Sequence, residues 1–189
     1  MQPAHSLGVV ILAGGHSTRM GAEKAQVKVD GRRLIDRTLA SLPAHDQAVV
    51  VSPFPLDLPL SQVTEDPPFG GPVAGIHAGA QALDTDLIGI LAVDAPDSGS
   101  LLPTLREALL REASAHAAVT RAADGYLQPL CAIWHRAALL DALARTGTRD
   151  VAAKRLLQPP TRIVQVLGDG NEQDYDTPEA LSTLGEVEL

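Results

Sequence analysis

Val9-Val10-Ile11-Leu12-Ala13-Gly14-Gly15-His16-Ser17-Thr18-Arg19-Met20-Gly21-Ala22-Glu23-Lys24 decides how the chain is read. It opens as an unbroken β-branched and apolar run, which predicts a strand buried on both faces. The run then breaks into glycines and small hydroxyl side chains, so a buried strand becomes a loop. Adjacent glycines allow unusual dihedrals and present bare N–H groups, while Arg19 and Lys24 put two cations on the same loop. A phosphate chain is the natural partner of such a surface.

Two common phosphate motifs do not fit. A P-loop needs a second glycine where Met20 stands and a lysine directly after it, whereas Lys24 comes later. A dinucleotide fingerprint needs Gly-x-Gly-x-x-Gly, but Gly14 and Gly15 are adjacent and Gly21 is too distant. The pattern present, Leu-Ala-Gly-Gly-x-x-x-Arg-Met-Gly-x-x-Lys, resembles the nucleotide-binding signature of the MobA-like nucleotidyltransferases, most closely the molybdenum cofactor guanylyltransferases. Similarity continues at Gly71-Pro72-Val73-Ala74-Gly75-Ile76, Val93-Asp94-Ala95-Pro96, Gln128-Pro129-Leu130 and Thr177-Pro178-Glu179, and so spans most of the chain.

Composition narrows the rest. At 189 residues, 45% hydrophobic and 20% charged, one globular domain over residues 1–189 is expected. Aromatics are only 3%, so the core must be aliphatic and a stacking platform for single-stranded nucleic acid is disfavoured. A net charge of −8 disfavours nonspecific binding to nucleic acid or an anionic membrane, so a polyphosphate must be attracted locally. Cys131 is alone, which excludes an internal disulfide and a cysteine-rich zinc cluster. No run approaches the roughly 20 apolar residues of a membrane span, and Met1 to His5 lack the pattern of a signal peptide. A soluble, cytoplasmic protein is expected.

Along the chain, Asp30-Gly31 between short runs predicts a β-hairpin. Leu34 to Leu42 reads as a helix ended by Pro43, and Ala48 to Ser52 as a second buried strand. Gln62-Val63-Thr64 reads as a short strand before an irregular loop, Glu65 to Pro72. A small-residue helix then runs from Val73 to about Leu83, with Val73, Ile76, Ala80 and Leu83 on one face. Leu87 to Val93, the most hydrophobic run, is expected in the centre of a parallel sheet and ends at Asp94. Helices are expected at about Leu101 to Ala113, Ala137 to Ala144 and Asp150 to Leu157; strands at Ala117 to Arg121, Leu130 to Trp134 and Arg162 to Val166. Thr177-Pro178 starts the last helix. This alternation predicts a three-layer α/β architecture with a mostly parallel central sheet, and the resemblance implies the Rossmann-like nucleotidyltransferase fold.

Asp94 is the first candidate for chemistry. A carboxylate closing a central strand, opposite a phosphate loop, suits a hard divalent ion bridging to phosphate oxygens; the alternative is a cap for the following helix. The family motif there is Cys-Asp-x-Pro, whose aspartate binds magnesium. Asp174 and Asp176 are expected on one face of an extended strand, where they would bind metal or, for Asp176, support the final helix cap. They stand where the family carries asparagines. The resemblance also implies that Leu12, Ala13, Gly14, Gly15 and Lys24 bind the nucleotide and that Asp66 faces its base or ribose. Ser52 would join that pocket, though both it and Asp66 also read as ordinary loop residues. No histidine pair has metal-ligand spacing, and Ser17 or Thr18 has no readable triad. Arg145, Arg149 and Lys154 are either cations for a second anionic substrate or a solvated face.

The resemblance therefore implies Mg²⁺-dependent transfer of GMP from GTP to molybdopterin-based molybdenum cofactor, with the N-terminal part binding nucleotide and the C-terminal part the acceptor. Arg19, Lys24 and Asp94 would be catalytic. Transient contact with cofactor synthesis or insertion proteins would follow. Cytidylyl or sugar-phosphate transfer, and a noncatalytic nucleotide-binding adaptor, remain alternatives.

Overall fold

A computed structural model describes residues 5–14 and 23–189. Strand β1 (Leu7–Leu12) is buried at every position. Next come β2 (Lys28–Val29) and β3 (Arg32–Arg33), an antiparallel pair turned at Asp30-Gly31. Both turn residues have positive φ, 51° and 74°, as a tight two-residue hairpin requires. The chain continues through α1 (Leu34–Ser41), β4 (Gln47–Val51), β5 (Ser61–Val63), α2 (Pro72–Gln81), β6 (Leu87–Ala92), α3 (Leu102–Arg111), β7 (Ala117–Arg121) and β8 (Leu127–His135). It ends with α4 (Arg136–Thr146), β9 (Ile163–Leu167), α5 (Pro178–Leu181) and β10 (Val187–Glu188).

Seven strands form one sheet in the order β5-β4-β1-β6-β8-β7-β9. All run parallel except β8, which is antiparallel to both β6 and β7. The mostly parallel sheet is as expected, with one correction: β6 has a parallel neighbour only on its β1 side. Successive residues of β1 point to opposite faces. Val9 and Ile11 pack in a cluster with Leu34, Ile35, Leu102 and Leu105 from α1 and α3. Val10 packs in a second cluster with Val73 and Ile76 of α2 and Leu139 and Leu143 of α4. Helices on both faces complete the three layers.

Three further expectations are corrected. Strand β8 begins before Leu130 and includes Pro129; the β7–β8 register shifts between Val119 and Thr120, opposite that proline, and such a bulge tolerates a residue without an N–H. The run Asp150 to Leu157 is a 3₁₀ turn over Ala153–Leu157, because Asp150 takes a φ of 56° as its N–H donates to the Gly70 carbonyl at 2.7 Å. Asp174 to Asp176 is irregular backbone outside either sheet. The expected alternation survives there, with Tyr175 buried and both aspartates exposed.

Topology positions the site. From β1 the chain moves to β4 and β5 on one side, and α2 returns it to β6 on the other. The strand order therefore reverses between β1 and β6, and the crevice beyond their carboxyl ends is where open α/β sheets collect ligands.

Candidate active site

Leu12 and Ala13 bring β1 to this crevice. The Ala13 N–H donates to the Val51 carbonyl at 2.9 Å, and Val93 N–H donates to the Leu12 carbonyl at 3.0 Å, so the ends of β4, β1 and β6 are laced together. Gly14 follows, exposed, where a Cβ would lie 2.7 Å from Pro53 Cδ; only glycine passes here without displacing the neighbouring loop. Gly15 and Arg19 lie outside the described residues.

Lys24 Nζ stands 2.7 Å from Asp176 Oδ1 and 3.8 Å from Asp94 Oδ2. Three segments far apart in sequence thus meet at one ammonium group: the end of the glycine loop, the end of β6 and the segment before α5. Backbone ties the last two together, since Tyr175 N–H donates to the Asp94 carbonyl at 2.9 Å. Burial pushes the Asp94 carboxyl above its ordinary range, Lys24 opposes that shift, and Asp174 and Asp176 add to it. Asp94 is not the cap of the turn that follows. That position belongs to Asp97, whose carboxylate instead pairs with Arg37 through two bonds of 2.8 Å. The helix cap near Asp176 is supplied by Thr177, whose hydroxyl accepts from Ala180 N–H at 3.1 Å.

The other expected residues are more dispersed. Ser52 is 2% exposed and its hydroxyl accepts from Phe54 N–H at 3.2 Å, a local turn contact. Asp66 is exposed in the loop between β5 and α2, on the carboxyl edge of the sheet. Asp174 lines a cleft of about 590 Å³ that opens beside Asp94 and reaches Tyr126, Gln128, Lys154 and Glu172. Glu172 carries no sequence signal that singles it out; it is one carboxylate in the polar run Asp169 to Asp176, and only its 7% exposure marks it. Cys131 also lines the cleft, but burial pushes its thiol up to about 12, so it is not a thiolate ligand.

The donor set suits a hard cation. Asp94, Asp174 and Asp176 offer carboxylate oxygens whose mutual repulsion a divalent ion would relieve. Among the described residues no group of three or more His, Cys, Asp or Glu forms a ready-made metal cage. No helix among the described residues is long and apolar enough to cross a membrane.

Gly14 at the end of the first strand, with Lys24 and Asp94 meeting at the switch point, matches the arrangement expected of a nucleotide-handling transferase. The MobA-like NTP transferase domain model matches residues 9–166, and the chain belongs to that family of nucleotidyltransferases. A molybdenum cofactor guanylyltransferase of Photobacterium profundum is 29% identical, over 99% of this chain and 100% of that protein. A probable molybdenum cofactor guanylyltransferase of Chloroflexus aggregans is 31% identical, over 96% and 90%. Among solved structures, molybdopterin-guanine dinucleotide biosynthesis protein A of Archaeoglobus fulgidus shares the fold with a TM-score of 0.72 at 23% identity, covering 93% of this chain and 95% of that one.

Proposed function

We propose that this enzyme transfers GMP from GTP to the phosphate of molybdopterin-based molybdenum cofactor and releases pyrophosphate. The single observation that carries the reading is the meeting of Lys24 and Asp94, 3.8 Å apart, at the switch point. Relatives matched over nearly the whole chain, and named for guanylyl transfer, supply the substrate pair. An oxygen of the acceptor phosphate attacks the α-phosphorus of GTP, the α–β bridging bond breaks, and its electron pair leaves with pyrophosphate. That nucleophile is already ionised near neutral pH, so no general base is required. The enzyme's share is position and charge stabilisation.

In this reading Leu12 to Gly15, Ser52 and Asp66 bound the nucleoside, while Lys24 and Arg19 neutralise the leaving pyrophosphate. Asp94 would hold Mg²⁺, with Asp174 and Asp176 as further oxygen ligands; the ion would supply charge neutralisation between the phosphates. Lys24 exchanges its carboxylate partners for phosphate oxygens as GTP enters.

Pyrophosphate release from GTP, CTP and ATP, measured side by side with molybdenum cofactor as acceptor, tests the assignment. GTP is expected to be used at least about tenfold faster than either rival, a modest discrimination for a site that hydrogen-bonds its base, and chelation of divalent ions should abolish turnover. Preference for CTP would overturn the guanine assignment. Nucleotide binding without pyrophosphate release across candidate acceptors would identify an adaptor.

A further inference from the structure

The cleft beside Asp94 contains a carboxylate that the transfer chemistry does not use. Glu172 is only 7% exposed. Its Oε2 accepts from Gly170 N–H at 2.8 Å, while its Oε1 has no hydrogen-bond partner among the described residues. That oxygen keeps access to the cleft, so it is available to accept from the N–H groups of a ligand seated there. Its seat is shaped by Gly168, where a Cβ would fall 2.2 Å from Cδ of Glu172 and 2.3 Å from Oε1. The absence of a side chain at Gly168 therefore leaves the space that the carboxylate occupies.

Around it the cleft supplies complementary features. Tyr126 presents a ring at the wall with 56% exposure, and Gln128 offers an amide. Among the described residues lining the cleft, Lys154 is the one cation, against Asp94, Asp124, Glu172 and Asp174. A wholly anionic ligand is ill matched to that surface. A volume of about 590 Å³ admits a fused heterocycle with substituents. Carboxylates pair best with planar groups that carry adjacent N–H donors.

We propose that Glu172 is a specificity-determining residue that reads the N–H donor edge of the acceptor's heterocycle, an amino-pyrimidinone of the pterin type, with Tyr126 stacking on the ring. This rests on the guanylyl-transfer reading for the acceptor's identity. The acceptor's phosphate then extends from the cleft toward Asp94 and Lys24, where the bond is made. Glu172 touches neither GTP nor the reacting phosphorus.

Titration of the full chain with 6-hydroxymethylpterin, a phosphate-free probe, measures the ring site alone. The unaltered protein should bind it. Glu172→Gln, which keeps shape but replaces one acceptor oxygen by a donor, should weaken binding about tenfold or more, the scale of a hydrogen bond to a charged group. Gly168→Ala should do the same by displacing the flexible carboxylate, and Tyr126→Ala removes an exposed ring with little risk to folding. GTP affinity should stay within about twofold in all three, and the KM for molybdenum cofactor should rise more than kcat falls. Unchanged pterin affinity in folded Glu172→Gln, or no pterin binding by the unaltered protein, overturns the assignment even if GMP transfer is intact. Loss of GMP transfer to molybdenum cofactor in the unaltered protein would instead overturn the proposed function.

Discussion

Asp94 is held against its own charge. Burial is the larger influence, and the attraction of Lys24 only partly offsets it. A carboxyl whose pKa is raised by folding binds its proton more tightly in the native chain than in the unfolded one. Its contribution to stability is therefore fully present at acidic pH and is lost as pH rises through the native pKa. Asp94→Asn removes that ionisation. The variant is expected to unfold at higher urea concentration than the parent at pH 7 to 8, with the difference closing as pH approaches the ordinary carboxyl value of about 4. Equal midpoints at pH 7 would show that the carboxylate is not strained. The same substitution should abolish activity, the usual relation between a charged site and stability.

At the scale of elements, the approach of α2 to the sheet decides how the crevice is framed. A Cβ at Gly79 would fall 2.5 Å from Val10 Cγ1 and 3.1 Å from Val51 Cγ2, and one at Gly75 would fall 3.0 Å from Leu12 Cδ2. Gly79→Ala is accordingly expected to cost about 1–3 kcal/mol by overpacking, read as a lower urea midpoint with an unchanged slope. A neutral result would mean that α2 can shift freely on β1 and β4. This close packing was legible in the sequence, because Gly75, Gly79 and the alanines between apolar positions predict a helix lying near a sheet. Strand β10 was not legible: two residues carry no periodicity, and Val187 pairs with Val29, far away in sequence. Pro129 concealed the start of β8, since proline argues against a strand unless a bulge receives it. Asp150 concealed the 3₁₀ turn, its left-handed backbone being set by Gly70 across the fold rather than by its neighbours.

At the scale of the whole molecule, the site is built by return of the chain. Strands β1 and β6 come from the parallel half of the sheet, and Tyr175 and Asp176, from the far end of the sequence, meet Asp94 and Lys24 beside them. Lys24 was legible as a cation in the glycine-rich signature after β1, and Asp94 as a carboxylate closing the long buried run of β6. Glu172 was invisible on the same terms: its meaning comes from burial against Gly168 and from a cleft that no linear pattern encodes.

If Lys24 and Asp94 act on one triphosphate, a double-mutant cycle on turnover will register their coupling. Lys24→Ala and Asp94→Ala should each lower kcat by at least about 10²-fold, the scale of a single lost electrostatic group. The double variant should lose far less than the roughly 10⁴-fold product of the two, because groups that act as a unit are not additive. Near-parental turnover in either folded single variant, or losses that multiply in full, would contradict the account.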